Sequence, residues 1–179
     1  MVIALTGFAW GLTEATLFFL VPDILLTWVV FRRAGHIVTT YLLTLFGALC
    51  GGAMIYMWGR HDPEGVLRLM HSVPAVDAAL IEQVRNGLHD LGMWAIPAGA
   101  LQGVPYKLYA ASAAGAGIDL PLFLLVSIPA RLFRWVMAGA GIYLLNALVL
   151  HKLSRQNGNR IFAGCWIGFY CCYFYIMGI

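Results

Sequence analysis

The chain has 179 residues, of which 61% are hydrophobic and 11% charged, and its mean hydropathy is +0.82. A soluble domain carries about twice that charged fraction, so the composition argues against a soluble fold and for one integral membrane domain over residues 1–179. A formal net charge of +3 with no basic run argues against a nucleic-acid partner.

The N-terminus lacks the positive region and small-residue cleavage site of a signal peptide and is read as structure. As one straight helix, Val2–Phe31 would be about 45 Å long at ~1.5 Å per residue, against a hydrocarbon core of ~30 Å. Pro22 removes a backbone donor and disfavours helix at Val21. The same segment carries Glu14 and Asp23. The sequence therefore predicts a re-entrant hairpin over 1–31: a helix, a break at Pro22-Asp23 and a second short helix, entering and leaving by one face. Irregular backbone at that depth needs protein or a cavity around it.

Arg32-Arg33-Ala34-Gly35 reads as a tight polar turn. A span follows over 36–59, in which Gly47, Gly51 and Gly52 allow close helix approach. Tyr56 and Trp58 suit the headgroup belt, and Gly59-Arg60-His61 ends the span with Arg60 as an interface anchor. Residues 62–90 are the polar loop. Asp62-Pro63-Glu64 reads as an N-cap, a first-turn proline and a first-turn acid. Ser72-Val73-Pro74 is expected to open a second helix. Val76, Leu80, Val84 and Leu88 form its apolar stripe, and Gly92 is its stop. Asp77, Glu82, Arg85, Asn86 and His89 take its other faces, as in an amphipathic helix on a membrane surface or a bundle.

Residues 91–117 are a second broken segment with Pro97, Gly103-Val104-Pro105 and Lys107, and are read as a second re-entrant hairpin. A span over 120–150, kinked or started near Pro129, carries Arg131 and Arg134. A short basic loop at 151–160 leads to an aromatic-rich C-terminal span over 161–179. Gly52-Ala53-Met54-Ile55-Tyr56 and Gly139-Ala140-Gly141-Ile142-Tyr143 share four of five residues, a faint repeat of the inverted kind found in transporters. The expected fold is an all-α integral membrane protein, inverted-repeat-like, with two re-entrant helical hairpins and about three transmembrane helices. On that topology Arg32, Arg33, Lys152, Arg155 and Arg160 share one face, which loop charge makes cytoplasmic. Arg60, Arg68 and Arg85 share the other.

Glu14, Lys107, Arg131 and Arg134 all lie in apolar surroundings, where an ionisable group needs a partner or a water-filled cavity. Arg131 and Arg134 are three apart and project from nearly one helix face. Their planar forks suit a phosphate or carboxylate. Lys107 adds a point charge beside Pro105, where backbone amides freed around Gly103 and Pro105 also suit an anion. Glu14 pairs with a cation in the empty site or carries a coupling proton. A structural alternative stands beside this: a buried Glu–Arg bridge that locks two hairpins together. Asp23 reads equally as an ion-pair or coupling residue and as a turn residue or cap. The five histidines are read as surface groups, and the tryptophans as packing or belt residues. Cys50, Cys165, Cys171 and Cys172 show no metal spacing and are read as inert small hydrophobes. No nucleophile elbow, P-loop, dinucleotide fingerprint or zinc-protease motif occurs, so no enzyme activity, cofactor or metal is expected.

Tyr56-Met57-Trp58-Gly59-Arg60 resembles the Tyr-x-x-Gly-Arg that follows the first span in the DedA family, also called VTT or SNARE-associated Golgi proteins. Gly103-Val104-Pro105-Tyr106-Lys107 is similar to that family's proline-containing second hairpin, and Ala114-Gly115 and Phe123 to the Ala-Gly and Phe beyond it. The Pro-x-Lys form and the Arg131/Arg134 pair resemble its smaller branch. The likeness runs from about Gly11 to Tyr143. The chain departs from the pattern in having Glu14 eight residues before Pro22, and no arginine before Pro105. The resemblance implies two facing re-entrant hairpins and movement of lipids between leaflets. Glu14 would then be the acidic hairpin residue and Lys107 the anion-facing base.

The functional expectation is a lipid transporter of flippase or scramblase type for an anionic or phosphate-headgroup lipid, in a bacterial cytoplasmic membrane. Proton coupling and a homo-oligomer are left open. Two alternatives remain: an ion- or proton-coupled transporter of a small soluble anion, and a non-transporting membrane assembly factor.

Overall fold

The computed structural model describes residues 2–18, 20–73, 76–148 and 155–177, and those residues form helices and turns without a strand. Helices α1 (Val2–Thr16) and α2 (Asp23–Phe31) flank a break at 17–22. The break expected at Pro22-Asp23 thus opens earlier. The N–H groups of Leu17 and Phe18 both donate to the Thr13 carbonyl, at 3.0 and 2.8 Å, which closes α1. The Trp10 indole then reaches across to the Leu20 carbonyl at 3.0 Å. Pro22, with no N–H to leave unpaired, stands at the N-cap of α2.

The polar turn after α2 is a helix cap. Arg33 N–H donates to Val30 O at 2.9 Å and Ala34 N–H to Val29 O at 3.0 Å, the paired bonds of a Schellman motif. Arg33 sits at φ 49°, an angle usually left to glycine. Its guanidinium lies 5.9 Å from the Tyr143 ring.

Helix α3 (Ile37–His61) packs along α1 through glycines. A Cβ on Gly7 would strike Thr40 and Thr44, and one on Gly11 would strike Thr44 and Ala48. One on Gly47 would strike the Phe8 backbone, and one on Gly51 that of Leu12. The partner numbers rise together, so α1 and α3 run parallel. The chain therefore doubles back across 17–36, and the two helices start at the same end of the molecule.

Asp62 caps α4 (Pro63–His71), its carboxylate accepting from Gly65 N–H at 2.8 Å. The second helix of the polar region, α5 (Ala78–Leu91), does not open at Ser72-Val73-Pro74. Ser72 is instead the C-cap of α4, and Asp77 caps α5 by accepting from Leu80 N–H at 2.7 Å. Pro74 and Ala75 lie outside the described residues. The face of α5 turned to the bundle is Ile81, Val84 and Leu88, with Leu80 half-buried and Val76 buried before the helix begins. Gly92, at φ 56°, ends α5 as expected.

After a 3-10 turn at Gly92–Trp94, the second broken segment is α6 (Ala95–Gln102), a break at 103–105, and α7 (Tyr106–Ala113). Gly103 supplies the left-handed angle, φ 82°, that ends α6. Helix α7 is buried on nearly every side. Tyr106 lies against Gly52 and Ala111 against Gly59, so α7 runs parallel to α3.

Helix α8 (Leu120–Leu148) contains Pro129 and runs antiparallel to α3. The Tyr41 hydroxyl donates to Trp135 O at 3.2 Å near one end, and that of Tyr56 to Ile118 O at 2.8 Å near the other. Helix α2 packs on α8 in parallel, with Asp23 at Arg134, Val30 by Gly139 and Asn146 donating to Phe31 O. Each broken segment thus lays its second limb on the long helix of the other unit.

The starts of α2 and α7, and of α3 and α8, are both 83 residues apart. Thr44 and Ser127 keep that spacing; both are fully buried, each hydroxyl bonded to a carbonyl of its own helix at 2.8 and 2.6 Å. The Gly52 and Gly139 motifs, 87 apart, are one helical turn out of this register. Tyr56 is accordingly buried, while Tyr143 is 51% exposed.

Helices α3 and α8 are long and apolar enough to cross a membrane. Phe46, Met54, Leu125, Phe133, Val136 and Met137 on their outer faces are each more than half exposed. The expected C-terminal span falls in α9 (Arg155–Met177), which also takes up the second half of the expected basic loop. His151, Lys152, residues 149–150 and residues 178–179 lie outside the described residues.

Candidate functional site

Five charged side chains that lie far apart in the sequence meet inside the bundle. The last turn of α1 brings Glu14, the first turn of α2 Asp23, the first turn of α7 Lys107, and the stretch of α8 after Pro129 brings Arg131 and Arg134. Glu14, Asp23, Lys107 and Arg131 are all less than a tenth exposed.

Arg131 donates directly to the Glu14 carboxylate, both side chains being buried. Its guanidinium also lies over two rings, 4.4 Å from the centroid of Tyr106 and 4.9 Å from that of Trp135. Aromatic faces attract a cation most where water is excluded. Arg134 donates to Asp23 at 2.8 Å, and its side chain is 29% exposed. Lys107 Nζ donates to the carbonyl of Phe18 at 2.8 Å. That carbonyl belongs to the break after α1, beyond the helix's last residue Thr16. Asp23, in the first turn of α2, is thus an ion-pair partner for Arg134.

The group holds two carboxylates and three cations, a surplus of one positive charge. Buried ion pairs recover little net stability over a well-packed apolar core, because desolvation offsets attraction. The buried Nε of Arg131 and Nε1 of Trp135 have no hydrogen-bond partner among the described residues. This arrangement leaves donors and charge in excess, which suits an incoming anion.

Glu14, Lys107, Arg131 and Arg134 border a cavity of about 340 Å³, with Asp23 behind Arg134. Phe18 and Val21 from the first break and Gly103, Val104 and Pro105 from the second face it. Pro105 begins α7 with an extended ψ of 126°. The amide of Val104 is already engaged by Gly99 O at 2.9 Å, so it is not among the freed donors expected there.

Tyr56 and Gly59 stand away from the charges. The Tyr56 ring stacks on Phe123 at 5.7 Å, and a Cβ on Gly59 would run into the Ala111 carbonyl. Gly59 seats α7 on α3, and Tyr56 packs α3 against the start of α8. Arg60 is exposed beyond them. Of the histidines, His61, His71 and His89 are exposed, whereas His36 is half-buried with its Nε2 enclosed. Among the described residues no three His, Cys, Asp or Glu side chains gather as a metal ion would need.

Sequence reasoning missed the ring contacts of Arg131 and the wall that α9 lends the cavity. Trp135 was legible in principle, since it is four residues from Arg131 and shares its helix face. Tyr106 and the α9 residues Phe169, Tyr170 and Tyr173 come from other elements and carry no such signal. No family model matches the chain, and no match is found among curated proteins or solved structures.

Proposed function

We propose that this protein is an integral membrane lipid transporter, of flippase or scramblase type, that moves an anionic or phosphate-headgroup lipid between leaflets of a bacterial cytoplasmic membrane. In this reading both broken segments are re-entrant, and the exposed apolar faces of α3 and α8 lie in lipid. One observation carries it: charges from both broken segments and from α8 converge on a single cavity with one positive charge in excess. At about 340 Å³ the cavity is at the small end of ligand sites, enough for a headgroup with its chains left outside.

The headgroup exchanges places with carboxylates. A phosphate entering beside Lys107 competes with Asp23 for Arg134, the more accessible of the two arginines. Glu14 holds Arg131 in place while the site is empty. Carboxylates released from their cations become proton acceptors, which gives a route to proton coupling. A soluble anion is the second reading, favoured by the same charge surplus and small volume.

The test is translocation of a fluorescent phosphatidic acid in liposomes. Glu14→Gln and Arg134→Ala should each abolish it while melting as folded proteins. Normal movement in both variants would remove this site from the mechanism. Inhibition by inorganic phosphate without lipid movement would favour the soluble-anion reading.

A further inference from the structure

The cavity has charges at its depth and aromatic rings at its mouth. Phe18 and Phe169 both line it, yet they are 39% and 53% exposed. A ring that faces both the cavity and the outside marks a rim. Phe169, Tyr170 and Tyr173 share one face of α9 and form that side of the opening.

Helix α9 is held loosely there. Toward its N-terminal end, Phe162 stacks on Phe31 at 5.2 Å and Asn159 accepts from Arg32 at 3.4 Å. At the level of the cavity, the Tyr170 hydroxyl accepts from the N–H of Val21 at 3.0 Å. Val21 lies in the break after α1, so this N–H has no place in a helical ladder. Beyond Phe162, most of α9 is exposed, including Ile167 at 65% and Tyr175 at 88%. An element with few buried contacts opens at low cost.

We infer that the crevice between α9 and the break after α1 is a lateral portal for an aliphatic chain, latched by the Val21–Tyr170 hydrogen bond. This rests on the lipid reading above and adds where the chain passes. The ligand class is an amphiphile whose anionic end reaches Lys107 and Arg134 while its chain leaves between Phe18 and Phe169. An apolar rim around a charged interior orients such a molecule one way only.

The experiment uses the full chain with its four native cysteines replaced, in vesicles containing a phosphatidic acid with a diazirine on the acyl carbons next to the ester. Photolabelled residues are mapped by mass spectrometry. Val21→Cys and Tyr170→Cys are introduced together and bridged by a bifunctional thiosulfonate. Unbridged, the chain should label the cavity at Val104 and Tyr109. Bridged, that labelling should fall by about tenfold or more, as the open state is depopulated, with labelling of Ile167 outside unchanged. Tyr170→Phe, which keeps the ring and removes the acceptor, should raise cavity labelling. Cavity labelling that is absent without the bridge, or that persists with it, would overturn the portal. Labelling without transbilayer movement would leave the portal standing and remove the transport reading; movement without cavity labelling would do the reverse.

Discussion

The Glu14–Arg131 pair gives the sharpest test of whether these charges serve stability or function. Arg131→Met leaves the Glu14 carboxylate buried with its direct partner gone, and Glu14→Leu leaves the guanidinium in the same state. Removing one member of a buried pair costs about 3–5 kcal/mol. The arginine variant also loses two ring contacts at 4.4 and 4.9 Å, each worth about 2 kcal/mol when desolvated. The double variant replaces both charges with apolar groups of similar size, and such replacements are often neutral or stabilising. It should therefore melt near the wild type, with a coupling energy of at least about 3 kcal/mol. Thermal and detergent-induced unfolding in micelles would measure it. Single variants that cost less than about 1 kcal/mol, or costs that add to within about 0.5 kcal/mol, would refute the reasoning. Lipid movement supplies the second readout. A stable double variant that moves no lipid assigns the pair to function, whereas one that moves lipid normally makes it a bridge between helices.

Two further outcomes test the fold. Gly47→Leu should separate α1 from α3, because even a Cβ there meets the Phe8 backbone; the expected loss is about 2 kcal/mol or more in a micellar unfolding titration. Arg33→Gly relieves the left-handed angle at φ 49° but gives up the contact with Tyr143, so the melting temperature should hold or rise slightly.

Local chemistry was legible in the sequence where one residue type dictates the backbone. The prolines at 22 and 105 mark both breaks, Gly92 ends α5, and Asp62 caps α4, because each acts within a turn of itself. The end of α1 was not legible, since it is set by the reach of Trp10 to Leu20 across the break. Nor was the start of α5, where Asp77 competes with Ser72 and wins through its bond to Leu80. The candidate charges were visible as costly residues in apolar runs, but their pairing is tertiary. Asp23 meets Arg134 only because α2 lies on α8, the long helix of the other unit. The similar Gly52 and Gly139 stretches lie in α3 and α8, but one helical turn out of register with the 83-residue spacing of the helix starts, so the match between them did not locate corresponding positions.

The account stands on the first broken segment dipping into a bilayer and returning to the side it left, carrying Glu14 and Asp23 to the cations. Single cysteines at Val2 and Gly35, in a background without the native four, measure this directly in oriented vesicles with a membrane-impermeant maleimide. The account predicts that both positions label from the same face. Labelling from opposite faces would contradict it.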